Sequence, residues 1–137
     1  MWKKTIRQKI MKNPTIQKQI ILDTVRSMRD HPNADEIFAK ISAEHPNISK
    51  ATVYRNLNLM ADQGMIRRVK LSEGPDRYDF NTPKHYHMRC RACGRIFDAP
   101  MATLDHLEET LGDTHGFEAQ DHIIEFIGIC PDCKNKK

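Results

Sequence analysis

Residues 49–64 read SKATVYRNLNLMADQG. Ser49 opens the stretch with a hydroxyl that can accept from the N–H groups left open in the first turn of a helix. Val53, Leu57 and Met60 follow at spacings of four and three, which places them on one helical face. Gly64 closes it, at the position where a helix ends on a residue of positive φ. The spacing therefore predicts a helix with one apolar face, and the opposite face carries Arg55 and Asn58 with Tyr54 at its edge.

Working toward the N-terminus, Asn33 followed by Glu36 spells a capping box, and Ala34, Ile37, Phe38 and Ile41 supply an apolar stripe up to His45. Pro46 stops that helix, because the residue before a proline is pushed out of the helical region. A first helix is predicted over residues 15–28, with Thr15 as its cap and Ile16, Ile20, Ile21, Leu22, Val25 and Met28 at largely helical spacings. On the other side of Gly64, residues 65–71 read as a strand, residues 72–76 as a turn containing Gly74-Pro75, and residues 77–80 as a second strand. Three helices and a hairpin wing describe a winged helix-turn-helix, in which the third helix would enter the major groove of DNA. On that helix Arg55 and Asn58 can read base edges, Tyr54 can touch a thymine methyl or a phosphate, and Lys50 can rest on the backbone.

Charge follows the same division. The chain has 137 residues and a net charge of +4, but residues 1–81 carry +6 and residues 82–137 carry −2. A positive field confined to the helical half suits a polyanion. No run of about 18 apolar residues is present to span a bilayer, and the basic stretch from Met1 to Lys12 lacks the apolar region of a secretory signal. The expectation is a cytoplasmic protein with no membrane partner, built as a DNA-binding domain over residues 1–81 and a second domain over 82–137. The fold class expected is α+β, the second domain being a small α/β unit.

That second domain is predicted to hold a short strand through His87, another near Ile96, a helix over residues 101–115 with Leu104, Leu107 and Leu111 inward, and a long apolar strand over residues 117–129. About 55 residues make a thin core, so a staple or a partner is expected. Cys90, Cys93, Cys130 and Cys133 provide the staple as two C-x-x-C knuckles. Two knuckles fill the four positions of one tetrahedral Zn²⁺, leaving none open for substrate, so the site should be structural and its removal should unfold or monomerise the domain. Paired disulfides, or a redox C-x-x-C of the thioredoxin kind, are the alternatives that the reducing cytosol and the context disfavour.

His85 and His87 form a second metal motif, because residues two apart on a strand share a face. His31, Asp79 and Asp98 lie at comparable points of the layout. Five imidazole and carboxylate donors suit Fe²⁺, Mn²⁺ or Zn²⁺. Asp79 could equally pair with Arg77, and His31 could be an ordinary loop residue.

With those motifs in view, the chain resembles the ferric uptake regulator (Fur) family over nearly its whole length. His31-Pro32-Asn33-Ala34-Asp35 is similar to the family's H-P-x-A-x, Ala51-Thr52-Val53-Tyr54-Arg55 to its A-T-V-Y-R recognition helix, and His85-Tyr86-His87 with Cys90, Cys93 and Gly94 to its H-x-H-x-x-C-x-x-C-G. The resemblance implies a homodimer bound to a palindromic double-stranded operator. It also implies C-terminal dimerisation, a structural Zn²⁺ on the four cysteines, and a regulatory Fe²⁺ or Mn²⁺ between the domains held by His31, Asp79, His85, His87 and Asp98. The residues it places at DNA are Lys50, Thr52, Tyr54, Arg55 and Asn58.

Two features resemble the peroxide-responsive branch (PerR) more than the iron-uptake or zinc-uptake repressors, which are the alternative. Asp79 and Asp98 stand where those branches commonly carry Glu, and Lys84 and Tyr86 replace two ligands of a further metal site for which only Asp105 and His122 remain. Asp105 and His122 are accordingly read as structural. The branch implies that Fe²⁺ and hydrogen peroxide oxidise His31 or His85 and so release DNA, a self-sacrificing event that is not enzymatic turnover. One departure is Thr15-Ile16-Gln17-Lys18 in place of the family's T-P-Q-R, which leaves the basic residues Lys3, Lys4, Arg7, Lys9 and Lys12 as the N-terminal candidates for phosphate or the minor groove.

Overall fold

A computed structural model describes residues 13–136. The basic residues before Asn13 lie outside the described residues. Two compact units part between Thr82 and Pro83.

The first unit contains α1 (Pro14–Ser27), α2 (Ala34–Glu44), α3 (Lys50–Asp62), β1 (Arg67–Val69) and β2 (Arg77–Asp79). The cap of α1 is Asn13, whose side chain accepts from the Thr15 N–H at 2.9 Å, and not Thr15. Pro14 at the first helical position favours this arrangement, since it has no N–H to satisfy and its φ is already helical. The capping box of α2 forms as expected, with Glu36 N–H on Asn33 Oδ1 at 2.8 Å and Asn33 N–H on Glu36 Oε1 at 3.2 Å. Ser49 caps α3 by accepting from the Thr52 N–H at 3.1 Å, and Gly64 takes φ +77° beyond its end.

The three apolar stripes meet in one core of Ile21, Leu22, Val25, Ile37, Ile41, Ile48, Val53, Leu57, Met60, Ile66 and Tyr78. The wing strands are shorter than the sequence predicts but pair antiparallel as expected, Arg67 opposite Asp79 and Val69 opposite Arg77. Tyr78 belongs to the core and also donates its N–H to the Pro32 carbonyl at 2.8 Å. This bond stitches the wing to the loop before α2.

The second unit is a three-stranded sheet of β3 (His87–Cys90), β4 (Ile96–Asp98) and β5 (Glu125–Gly128), in the order β4-β3-β5. β3 runs antiparallel to β4 and parallel to β5. A four-residue helix α4 (Pro131–Lys134) follows. The helix expected over residues 101–115 is absent, and only a 3₁₀ turn at Leu107–Thr110 occupies the region. His106 adopts φ +64°, which breaks the helical path in the middle of the stripe. The long strand expected over residues 117–129 is likewise reduced to β5.

Both shortfalls have one physical cause. A short amphipathic helix is marginal until its apolar face is covered, and here Leu104 and Leu111 are exposed together with Phe117, Ile123, Phe126, Ile127 and Ile129. Among the described residues nothing covers these side chains. Among the described residues no helix is long and apolar enough to cross a membrane.

Candidate metal centres and nucleic-acid interface

The four cysteines converge. Each offers a sulfur lying within 4.8 Å of the other three, and Cys93 and Cys130 are 3.7 Å apart at Sγ. Thiolates at bonds of roughly 2.3 Å to one tetrahedral ion stand roughly 3.8 Å from each other, whereas a disulfide needs about 2.05 Å. The spacing fits a Cys₄ zinc site.

The backbone builds this cluster. Gly94, at φ +79°, turns the first knuckle so that its N–H reaches the Cys90 carbonyl at 2.8 Å. Pro131 starts α4 directly after Cys130, and Arg95 joins the two knuckles by pairing with Asp132 at 2.8 Å. The Cys130 N–H donates to Cys90 Sγ at 3.3 Å, and this donor, with the Cys93 N–H, pulls the Cys90 thiol down to about 6. Cys133 is pushed up to about 12, chiefly by the neighbouring Cys130 sulfur. Crowded thiols titrating so far apart are what a divalent cation would bring into one deprotonated state.

The other metal motif has a part in each unit. In the first, His31 Nε2 lies 3.2 Å from Asp79 Oδ2, and both residues are buried. His31 holds the left-handed conformation, φ +54°, which is uncommon for a non-glycine residue. Around it Pro32 accepts from the Tyr78 N–H, and Arg77 donates to the His31 carbonyl at 3.2 Å and to Glu36 at 3.3 Å. Asp79 is fixed in turn by the Asn81 N–H at 2.9 Å.

In the second unit His85 precedes β3 and His87 begins it, yet their rings lie 4.4 Å apart, as expected of residues sharing a face. Asp98 stands directly across the β3–β4 ladder from His87. Its Oδ1 lies 3.2 Å from His85 Nε2 and 3.7 Å from His87 Nε2. His85 Nδ1 is 2.8 Å from the Pro83 carbonyl. A carbonyl can only accept, so Nδ1 is the donor in that bond, and Nε2 is left as the nitrogen that a metal ion placed between it and Asp98 would use.

A third polar cluster was missed in the sequence. His122 is bonded to Glu108, and Asp105, the residue that motif matching pairs with it, is exposed beside Thr103. The Tyr86 hydroxyl lies 2.6 Å from His122 Nε2, and Lys84 pairs with Asp121. Glu108 is three residues from Asp105, which places it within the same turn, and that was the available signal. His122 and Lys84 hold the Glu108 and Asp121 carboxyls, respectively, below the usual carboxylate range. Glu108, Asp121 and His122 bring ligand atoms within 4.8 Å of one another, with the Lys84 ammonium paired to Asp121 at the same place.

On α3, Arg55 is exposed and Lys50 stands at the first turn. Thr52 is tied into the cap by a 2.8 Å bond from the Ser49 hydroxyl. Asn58 Oδ1 accepts from Arg68 at 3.1 Å and from the Tyr78 hydroxyl at 3.4 Å, so its amide is drawn to the wing. Tyr54 donates to Asp35.

Comparison with known proteins agrees with this layout. A peroxide-responsive repressor PerR of Staphylococcus epidermidis is 38% identical over 122 residues, covering 89% of this chain and 81% of that protein. The ferric uptake regulator from Francisella tularensis, solved with iron, is 27% identical with a TM-score of 0.71, covering 86% of this chain and 91% of that one. The Campylobacter jejuni peroxide stress regulator is 27% identical with a TM-score of 0.65, covering 95% and 97%. The profile described as the ferric uptake regulator family matches residues 10–127. The winged helix, the H-x-H motif and the first cysteine knuckle thus lie within a match that spans most of the sequence, and the chain belongs to the ferric uptake regulator family.

Proposed function

We propose that this protein is a cytoplasmic, homodimeric, metal-dependent transcriptional repressor that senses hydrogen peroxide. In this reading Cys90, Cys93, Cys130 and Cys133 bind a structural Zn²⁺. His31 and Asp79 from the first unit and His85, His87 and Asp98 from the second share one regulatory Fe²⁺ or Mn²⁺. The observation that carries the reading is the placing of Asp98 Oδ1 against His85 Nε2 and His87 Nε2, with His85 already oriented by its bond to Pro83. Imidazole and carboxylate without thiolate is the donor set for such ions, and the most informative relative is a peroxide-responsive repressor.

Bound iron(II) would supply the reduction of peroxide at the ligand imidazoles. The net change leaves one peroxide oxygen on a ring carbon of His31 or His85 and releases the other as water. The residues themselves do the rest. The backbone of His31, at φ +54°, is held by the contacts of Pro32 and Arg77, which keeps its side chain based beside Asp79. Loss of a donor weakens the ion's hold on both units at once, and an ion that favours the DNA-competent arrangement acts as a switch between two populations.

Homodimerisation is supported by the second unit's uncovered apolar side chains and by an open groove of about 350 Å³ lined by Met88, Phe97, Phe126, Ile127, Ile129 and Pro131. A two-fold dimer reads a palindromic double-stranded operator, with α3 in the major groove and Lys50, Thr52, Tyr54, Arg55 and Asn58 nearest the DNA.

The test is anaerobic treatment of the Fe²⁺-loaded protein with dilute peroxide. The expected result is one added oxygen on the peptide containing His31 or His85, with loss of DNA binding, while the Mn²⁺ form changes in neither respect. Absence of the added oxygen, with DNA binding that tracks metal concentration alone, would replace this reading with that of an iron-uptake or zinc-uptake repressor.

A further inference from the structure

The first turns of α2 and α3 meet in a small polar triad. Asp35 Oδ1 lies 3.2 Å from Lys50 Nζ and accepts the hydroxyl of Tyr54, and Lys50 Nζ lies 5.4 Å from the centre of the Tyr54 ring. Lys50 and Tyr54 are one helical turn apart on α3. They are also two of the groups expected at the DNA backbone. Asp35 is not required as a cap, because Asn33 and Glu36 already close the capping box of α2.

An ammonium and a phenol converging on one anionic oxygen, beside the N-terminus of a 13-residue helix, is the donor arrangement that a phosphate oxygen would accept. Here a carboxylate takes that place. We propose that Asp35 is a built-in phosphate surrogate, which keeps Lys50 and Tyr54 oriented and neutralised and which a DNA phosphate must displace. Asp35 thus sets the affinity of the backbone contact and carries no sequence information of its own. It lowers affinity for any duplex, so that contacts made by the rest of α3 must supply the difference. The inference rests on the DNA-binding reading above.

The physical consequence is measurable. A lysine that neutralises a phosphate releases condensed counterions, and each such contact steepens the salt dependence of log K by about 0.9. A lysine already neutralised by Asp35 leaves a bare carboxylate when it moves to the phosphate, so the net charge brought to DNA is zero. Removing the carboxylate should restore the missing release.

The experiment uses the full-length Mn²⁺-loaded protein and a fluorescein-labelled mixed-sequence duplex, with anisotropy followed over a chloride titration. For Asp35→Asn the expected results are binding about three- to fivefold tighter at low salt, the range open to an exposed ion pair, and a salt slope steeper by about 0.9 per protomer. Adding Lys50→Met to Asp35→Asn should return the slope to that of the wild type. Unchanged affinity and slope in Asp35→Asn, with the wild type binding normally, overturn the proposal. So does weaker binding by a variant whose melting temperature matches the wild type, since Asp35 would then be a support for Tyr54 and not a competitor. Wild-type protein that binds no duplex overturns the DNA-binding reading, and this inference with it.

Discussion

His87 and Asp98 face each other as direct partners across the β3–β4 ladder, with His87 Nε2 3.7 Å from Asp98 Oδ1. The register of two short strands therefore sets a donor distance. Asp98 is about half exposed at its side chain, whereas His87 is buried, so the carboxylate is the member of the pair that can adjust to an ion. Asp98→Ala is expected to raise the Kd for Mn²⁺ by at least about tenfold in calorimetry, the scale seen when even an outer partner of a metal site is lost. Zinc content should stay constant, because the cysteine knuckles do not involve Asp98.

The zinc site yields a pH prediction for the metal-free protein. Cys90 is depressed to about 6 from 9.0, so its contribution to stability is fully present above 9.0 and is lost as pH falls through 6. Cys133 is raised from 9.0 to about 12, so its contribution is present below 9.0 and is lost as pH rises through 12. The melting temperature of the metal-free second unit, followed within the full chain, should therefore peak near pH 9. With Zn²⁺ bound the thiols are already deprotonated, and the melting curve should flatten over that window until acid competes the metal away. A metal-free curve without a maximum near pH 9 would count against this account of the four sulfurs.

Tyr86 is only 1% exposed and its hydroxyl serves two groups, His122 Nε2 at 2.6 Å and the Leu104 N–H at 2.8 Å. Tyr86→Phe removes one oxygen and leaves both without it. About 1–3 kcal/mol should be lost in chemical denaturation, because groups stripped of a partner bear their own desolvation cost. Hydrogen exchange should rise at Leu104 in particular.

In the first unit Leu57 is fully buried in the helical core. Leu57→Ala should cost about 2–5 kcal/mol by the lost transfer energy and the cavity left behind. Asn33→Ala, which opens the capping box of α2, should cost about 0.5–2 kcal/mol. Both variants should retain the metal stoichiometry of the wild type, which separates stability from ion binding.

The two units were unequally legible from the residues. Asn33, Ser49 and Gly64 are local signals, each acting within one turn of backbone, and the structure places each where its chemistry predicts. Asn13 displaced Thr15 as a cap because a proline at the first helical position favours the earlier start. Leu104, Leu107 and Leu111 keep a helical spacing, but spacing forms a helix only where something covers the stripe, and single-chain burial does not provide it. Glu108 escaped notice beside His122 because matching to a pattern favours Asp105, while the 3₁₀ turn at Leu107–Thr110 brings a different carboxylate inward. The cysteine site was the most readable part of the second unit, since two C-x-x-C spacings define its donors with no knowledge of the sheet.

The bond from the Cys130 N–H to the Cys90 sulfur spans 40 residues of chain, and β5 reaches β3 in parallel across a similar gap. During synthesis the three helices and the wing can close as soon as β2 has emerged, each contact lying within a continuous stretch. The second unit has no such option. Its central strand pairing is incomplete until Gly128 has left the ribosome, and its four-sulfur cluster until Cys133 has. A nascent polypeptide thus acquires its helical, winged half first, and the four-sulfur cluster becomes whole only after translation has passed the final knuckle.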